Sequence, residues 1–208
     1  MENKDALQTV KEIKQLMEKS SRFLSVSGTS TILIGIYALV GAYFGNRILH
    51  PVLLSYKSGV SSEFSIHTLI LIAGAVLFAS LVTMLALSYR KSIKNNQSFF
   101  NRLALRTFIN FSLPFVSGGI FCIAMIFHGY YGFVAPAMLL FYGLSLINVS
   151  KFTYGSIFWL GCAEIVLGFL SVFFIGNGLL LWTIGFGVLH IIYGIYFYVF
   201  VERKEKQS

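Results

Sequence analysis

Long apolar stretches recur along this chain, each close to the length that crosses a bilayer and each divided from the next by a short polar break. A helix spanning ~30 Å of hydrocarbon needs about 20 apolar residues. Inside hydrocarbon the backbone must satisfy its own hydrogen bonds, which leaves helices or closed barrels. These runs lack the period-two alternation of barrel strands, so they specify helices. The pattern predicts six spans, at about 22–46, 66–89, 107–127, 131–149, 155–175 and 179–200. A composition of 56% hydrophobic and 12% charged residues excludes an ordinary soluble domain of this length. The expected fold is therefore all-α: one polytopic membrane-helix bundle over 22–200, preceded by a cytoplasmic segment 1–21 and followed by a short tail 201–208. In the leading segment Ala6, Leu7, Val10, Ile13, Leu16 and Met17 recur at helical spacing between charged residues, which predicts an amphipathic helix at the interface.

Orientation follows from the basic residues, because lysine and arginine in short loops are retained in the cytoplasm. Lys4, Lys11, Lys14, Lys19, Arg22, Arg90, Lys91, Lys94, Arg102, Arg106, Lys151, Arg203, Lys204 and Lys206 all fall on one side of the expected spans. Only Arg47 and Lys57 fall on the other. An even number of spans then places both termini in the cytoplasm, and the small size suggests a bacterial inner membrane. The net charge of +8 is explained by this asymmetry, so anionic headgroups, and not a nucleic acid, are the expected counter-charge. Another membrane protein or a second copy of the chain is a further candidate partner.

Cys122 and Cys162 fall at different depths in their spans, which excludes a disulfide between them, and no Cys-x-x-Cys pair exists. His50, His67, His128 and Glu63 fall on the outer side at spacings that match no metal-ligand pattern. His190 is the only histidine at depth and has no axial partner for haem, so no metal and no cofactor is expected. Between the first two spans, 47–65 reads as the longest outer loop.

Glu164 is the one carboxylate inside a long apolar run, and such a residue marks a candidate functional site. It belongs to a stripe on one face of the fifth span, Gly161, Glu164, Gly168 and Ser171, spaced three, four, three. The sixth span carries Thr183, Gly187, His190 and Gly194, spaced four, three, four. A tight Gly176-Asn177-Gly178 turn joins the two as an antiparallel hairpin. The stripes then pair Ser171 with Thr183, Gly168 with Gly187, Glu164 with His190 and Gly161 with Gly194. Glu164 and His190 each lie near 14 Å from the cytoplasmic end at ~1.5 Å per residue. A third stripe, Gly28, Thr31, Gly35, Ala38, Ala42 and Gly45, marks the first span as close-packed, and it is expected to face that hairpin.

Two function classes fit. A proton- or ion-coupled carrier would use Glu164 and His190 as coupled titrating groups at mid-membrane. A non-catalytic sensor, scaffold or interaction module would use the same pair as a structural polar contact, worth about 0.6–2 kcal/mol. Catalysis has the weakest support. Six spans, Ser117-Gly118, and His190 followed by Gly194 resemble the rhomboid intramembrane serine proteases, and that resemblance implies a serine and base dyad. In that family the serine lies in Gly-x-Ser-Gly on the fourth span; here Phe115-Val116-Ser117-Gly118 lies on the third, and His67 lies at the outer edge of span two.

Overall fold

The computed structural model describes residues 8, 27–57, 63–94 and 102–203. The amphipathic helix expected within 1–21 lies outside the described residues apart from residue 8, as does 204–208 of the tail. Every described element is helical, and six helices are long and apolar enough to cross a membrane. They are α1 (Gly28–Lys57), α2 (Glu63–Lys94), α3 (Arg102–Phe127), α4 (Val134–Ser150), α5 (Ser156–Phe173) and a composite rod, α6. In α6 the helix Gly178–Trp182 passes into a π-helical stretch, Thr183–Leu189, returns to α-helix over His190–Phe197, and ends in a second π stretch, Tyr198–Glu202.

α1 overruns its expected end, because 47–57 is helical where the sequence reading placed a loop, and α2 starts at Glu63. The cause is local: Ile48, Leu49, Val52, Leu53 and Leu54 keep the segment apolar. Pro51 removes one backbone donor without ending the helix. At the α3–α4 junction Gly129 adopts φ +78°, a left-handed turn conformation that suits glycine. Pro136 falls in the first turn of α4, where its missing donor has no helical partner to lose.

Two antiparallel pairs form the interior: α4 lies along α5, and α1 lies along α6. α2 flanks α1 on one side of the bundle, and α3 flanks α4 on the other. Glycine makes both inner pairs close, through reciprocal contacts of one design. A Cβ built on Gly143 would stand 2.7 Å from the Gly161 carbonyl oxygen, and one on Gly161 would stand 2.8 Å from that of Gly143. Ile165 and Ile147, each four residues beyond a glycine, fill the hollow opposite. In the α1–α6 pair the same holds for Gly28 with Gly194, and one heptad along a Cβ on Gly35 would stand 2.7 Å from the Gly187 carbonyl oxygen, with the reverse distance 3.8 Å. There the hollows receive Tyr198 and Ile32, then Ile191 and Leu39. Glycine at such positions lets backbones touch, so that dispersion and weak Cα–H···O contacts hold the pairs together.

The remaining interhelical bonds are few. Asn148 donates to the Asn110 carbonyl at 2.8 Å, tying α4 to α3, and Thr83 donates to the Tyr37 hydroxyl at 3.3 Å between α2 and α1. Lys91 pairs with Glu202 at 2.9 Å, joining α2 to the end of α6. At that same end Leu146, Val149, Tyr154, Ile157, Leu160 and Phe197 form a buried apolar cluster between α4, α5 and α6.

Candidate functional site

Glu164 and His190 are among the most deeply enclosed side chains of the described residues, with exposures of 0% and 1%. Glu164 sits midway along α5, and His190 follows directly on the π-helical stretch of α6. Their separation is 3.4 Å, from His190 Nδ1 to Glu164 Oε1. A shorter contact takes precedence at the imidazole: Nδ1 lies 3.0 Å from the Gly185 carbonyl oxygen, five residues back on the same helix. A carbonyl only accepts, so Nδ1 carries the hydrogen and donates it to Gly185. On the other side of the ring Nε2 lies 2.7 Å from the Tyr142 hydroxyl of α4, and in this tautomer Tyr142 donates. The result is a chain from Tyr142 through His190 to Gly185, with Glu164 beside its last link. Phe186 lies nearly parallel to the imidazole, at 14° with ring centres 5.9 Å apart, and also packs on Tyr142.

Glu164 itself is left unsatisfied, since neither Oε1 nor Oε2 has a hydrogen-bond partner. Its Oε2 abuts Gly185, where a Cβ would collide with it, so Gly185 makes the room that the carboxyl fills. An ionised carboxylate enclosed without donors carries a desolvation cost of several kcal/mol. Two further polar atoms of the neighbouring seam are also enclosed without partners: Ser171 Oγ on α5 and Trp182 Nε1 on α6.

The expected register of the α5–α6 hairpin is corrected by these contacts. Glu164 faces Gly185 and Ser171 faces Gly178, so α6 is displaced by more than a turn from the pairing drawn from the stripes. Gly161 meets Gly143 and Ile147 of α4, and Gly168 meets Leu140 of α4. Gly187 meets Leu39 of α1, and Gly194 meets Gly28 and Ile32 of α1. The glycines thus pack against α4 and α1, and not against each other, because each close crossing needs a bulky side chain opposite the glycine. Thr183 donates to the Leu179 carbonyl at 2.6 Å within its own helix and pairs with nothing on α5. Glu164 and His190 still meet, for a reason the spacing did not contain. A helical Cα–Cβ bond leans toward the N-terminus, so His190 reaches back over the π turn to Gly185 and to the carboxyl facing it.

The stripe of α1 is buried along its length, and its two crossing glycines meet α6. Ala38 and Ala42 are buried, Thr31 donates to the Ser27 carbonyl, and Gly45 lies near Leu69 of α2 and Leu179 of α6. This face meets the hairpin through α6. Ser117 is exposed and donates to the Leu113 carbonyl at 2.8 Å, while both ring nitrogens of His190 are engaged elsewhere, so no dyad joins the two. Cys122 and Cys162 are free thiols.

Tyr142, Gly185 and the π turn escaped the sequence reading. Tyr142 resembles any aromatic residue of an apolar helix, and a π turn has no residue signature; π-bulges nevertheless concentrate at functional sites. No protein-family model, curated protein or solved structure matches the chain.

Proposed function

We propose that this protein is a small proton-coupled carrier of the bacterial inner membrane in which Glu164 takes up and releases the proton. The observation that carries the reading is a fully buried carboxyl, beside a histidine, with both oxygens lacking any hydrogen-bond partner. A contact kept only to hold two helices together would gain by completing its hydrogen bonds, and this one leaves them unmade. In the resting arrangement Glu164 is protonated and His190 donates to Gly185. When Glu164 gives its proton to water, the new carboxylate attracts the His190 Nδ1–H away from the Gly185 carbonyl. His190 keeps its hydrogen throughout, and Tyr142 keeps donating to Nε2. Loss of the bond to Gly185 frees a carbonyl of the π-helical turn, so a charge change on α5 is felt by the backbone of α6. The basic ends of the helices face the cytoplasm and its anionic headgroups in this reading.

A second reading, a non-catalytic sensor or scaffold, is favoured by one observation. The Tyr142–His190–Gly185 chain is complete, and it pins α4 to α6 without help from Glu164. The two readings diverge in reconstituted vesicles under a pH gradient. A carrier loses at least tenfold of its proton flux in Glu164→Gln with insertion and folding intact. Full flux in that variant, or no flux in the wild type, leaves the scaffold reading in place.

A further inference from the structure

Among the described residues the buried side-chain polar atoms without partners are Glu164 Oε1 and Oε2, Ser171 Oγ and Trp182 Nε1. Glu164 and Ser171 lie on one face of α5, two turns apart, and both are fully buried. Gly178 and Gly185 lie two turns apart on α6 and face Ser171 and Glu164 respectively. Trp182 stands between those glycines on α6, with its indole nitrogen enclosed and without an acceptor. α4 closes the third side, through Ala135 beside Gly178 and Leu139 beside Gly185. The seam runs from mid-bundle to the Gly178 end. Past His190 in the other direction it meets the apolar cluster around Phe197, where the Ser156 and Tyr193 hydroxyls already pair at 2.9 Å.

The chemistry of the orphaned atoms identifies what would satisfy them. The indole N–H only donates, which disfavours a cation; a carboxyl disfavours an anion; the serine hydroxyl both donates and accepts. A ligand that serves all three must accept from the indole and both donate and accept at the hydroxyl and the carboxyl, as water does. Seven residues of helix rise about 10 Å at ~1.5 Å per residue, the length of two or three water molecules in file. Buried water occupies polar sites of this kind, with two to four partners each.

We propose that Ser171, Trp182 and Glu164 hold a file of water between α4, α5 and α6, and that this file carries protons between the Gly178 end of the bundle and Glu164. Transfer is a relay: a proton leaves the Glu164 carboxyl for the nearest water, each water passes one on, and the last is delivered at the Gly178 end. The return runs in reverse, so no other reactant is consumed. The proposal rests on the reading of Glu164 as the proton-exchanging group and adds the route and the side of access.

The test is hydrogen–deuterium exchange of the Glu164 carboxylic acid in vesicles transferred to D2O, followed by infrared spectroscopy. The band is assigned by its loss in Glu164→Gln. The double variant Ser171→Ala, Trp182→Phe, which keeps the apolar shape of the seam, is expected to slow exchange at least tenfold and to leave the band position unchanged. Ser156→Ala, at the opposite end, is expected to exchange at the wild-type rate. Exchange at the wild-type rate in the double variant overturns the route, and so does a slowing seen only in Ser156→Ala. Undiminished proton flux in Glu164→Gln overturns the carrier reading itself, so the two failures are distinct.

Discussion

α5 carries two interfaces built in opposite ways. Toward α4 it presents Gly161 and Gly168 to backbone and branched aliphatic side chains, and no polar atom is left over at the crossing. Toward the first turns of α6 it presents Glu164 and Ser171, and three of the four side-chain atoms enclosed without partners lie there. One face is shaped to exclude everything, and the other keeps hydrogen-bonding capacity that the chain does not use. On the reading proposed above, the first interface holds the bundle together and the second serves proton transfer.

The comparison breaks first at the crossing. Gly143→Leu drives a side chain into the α5 backbone and should cost at least ~3 kcal/mol or prevent folding, read as thermal unfolding in detergent. Gly119→Ala is its control, because nothing lies within 4 Å of the added carbon. That change should stay within about 1 kcal/mol of wild type, on the side of greater helix propensity. Equal losses in the two variants would remove the distinction between packed and open glycines.

At Gly185 the added methyl meets the Glu164 carboxyl and the tip of Leu139, which are movable ends and not backbone. Gly185→Ala should therefore lower proton flux severalfold while unfolding shifts by less than ~2 kcal/mol. Tyr142→Phe removes the hydroxyl that donates to His190 and should cost about 0.6–2 kcal/mol in the same unfolding assay. Glu202→Gln should have the smallest effect, about 1 kcal/mol or less, since the amide oxygen still accepts from Lys91 in this largely enclosed pair.

How much of this was legible in the sequence differs between the same two regions. Span lengths of ~20 apolar residues gave the helices and their order, and small residues at three- and four-residue spacing marked which faces are close-packed. What the spacing could not give was the partner of each face. Gly168 and Gly187 look like mates across the hairpin, yet each meets a bulky residue on a different helix, Leu140 and Leu39. A glycine stripe records how near a neighbour comes, and not which neighbour it is. Glu164 was legible because a carboxylate in an apolar run is conspicuous, whereas Tyr142 and Gly185 become meaningful only once the π turn turns His190 toward them.

On the proposed reading Glu164 is kept for chemistry and not for stability. Equilibrium unfolding of Glu164→Met against wild type tests it most directly, since methionine fills a similar volume without polar atoms. Replacing a buried carboxyl that makes no hydrogen bond to the protein should leave the protein within about 1 kcal/mol of wild type or more stable. A loss of more than ~2 kcal/mol would show that Glu164 and His190 hold the fold together, and would contradict the account.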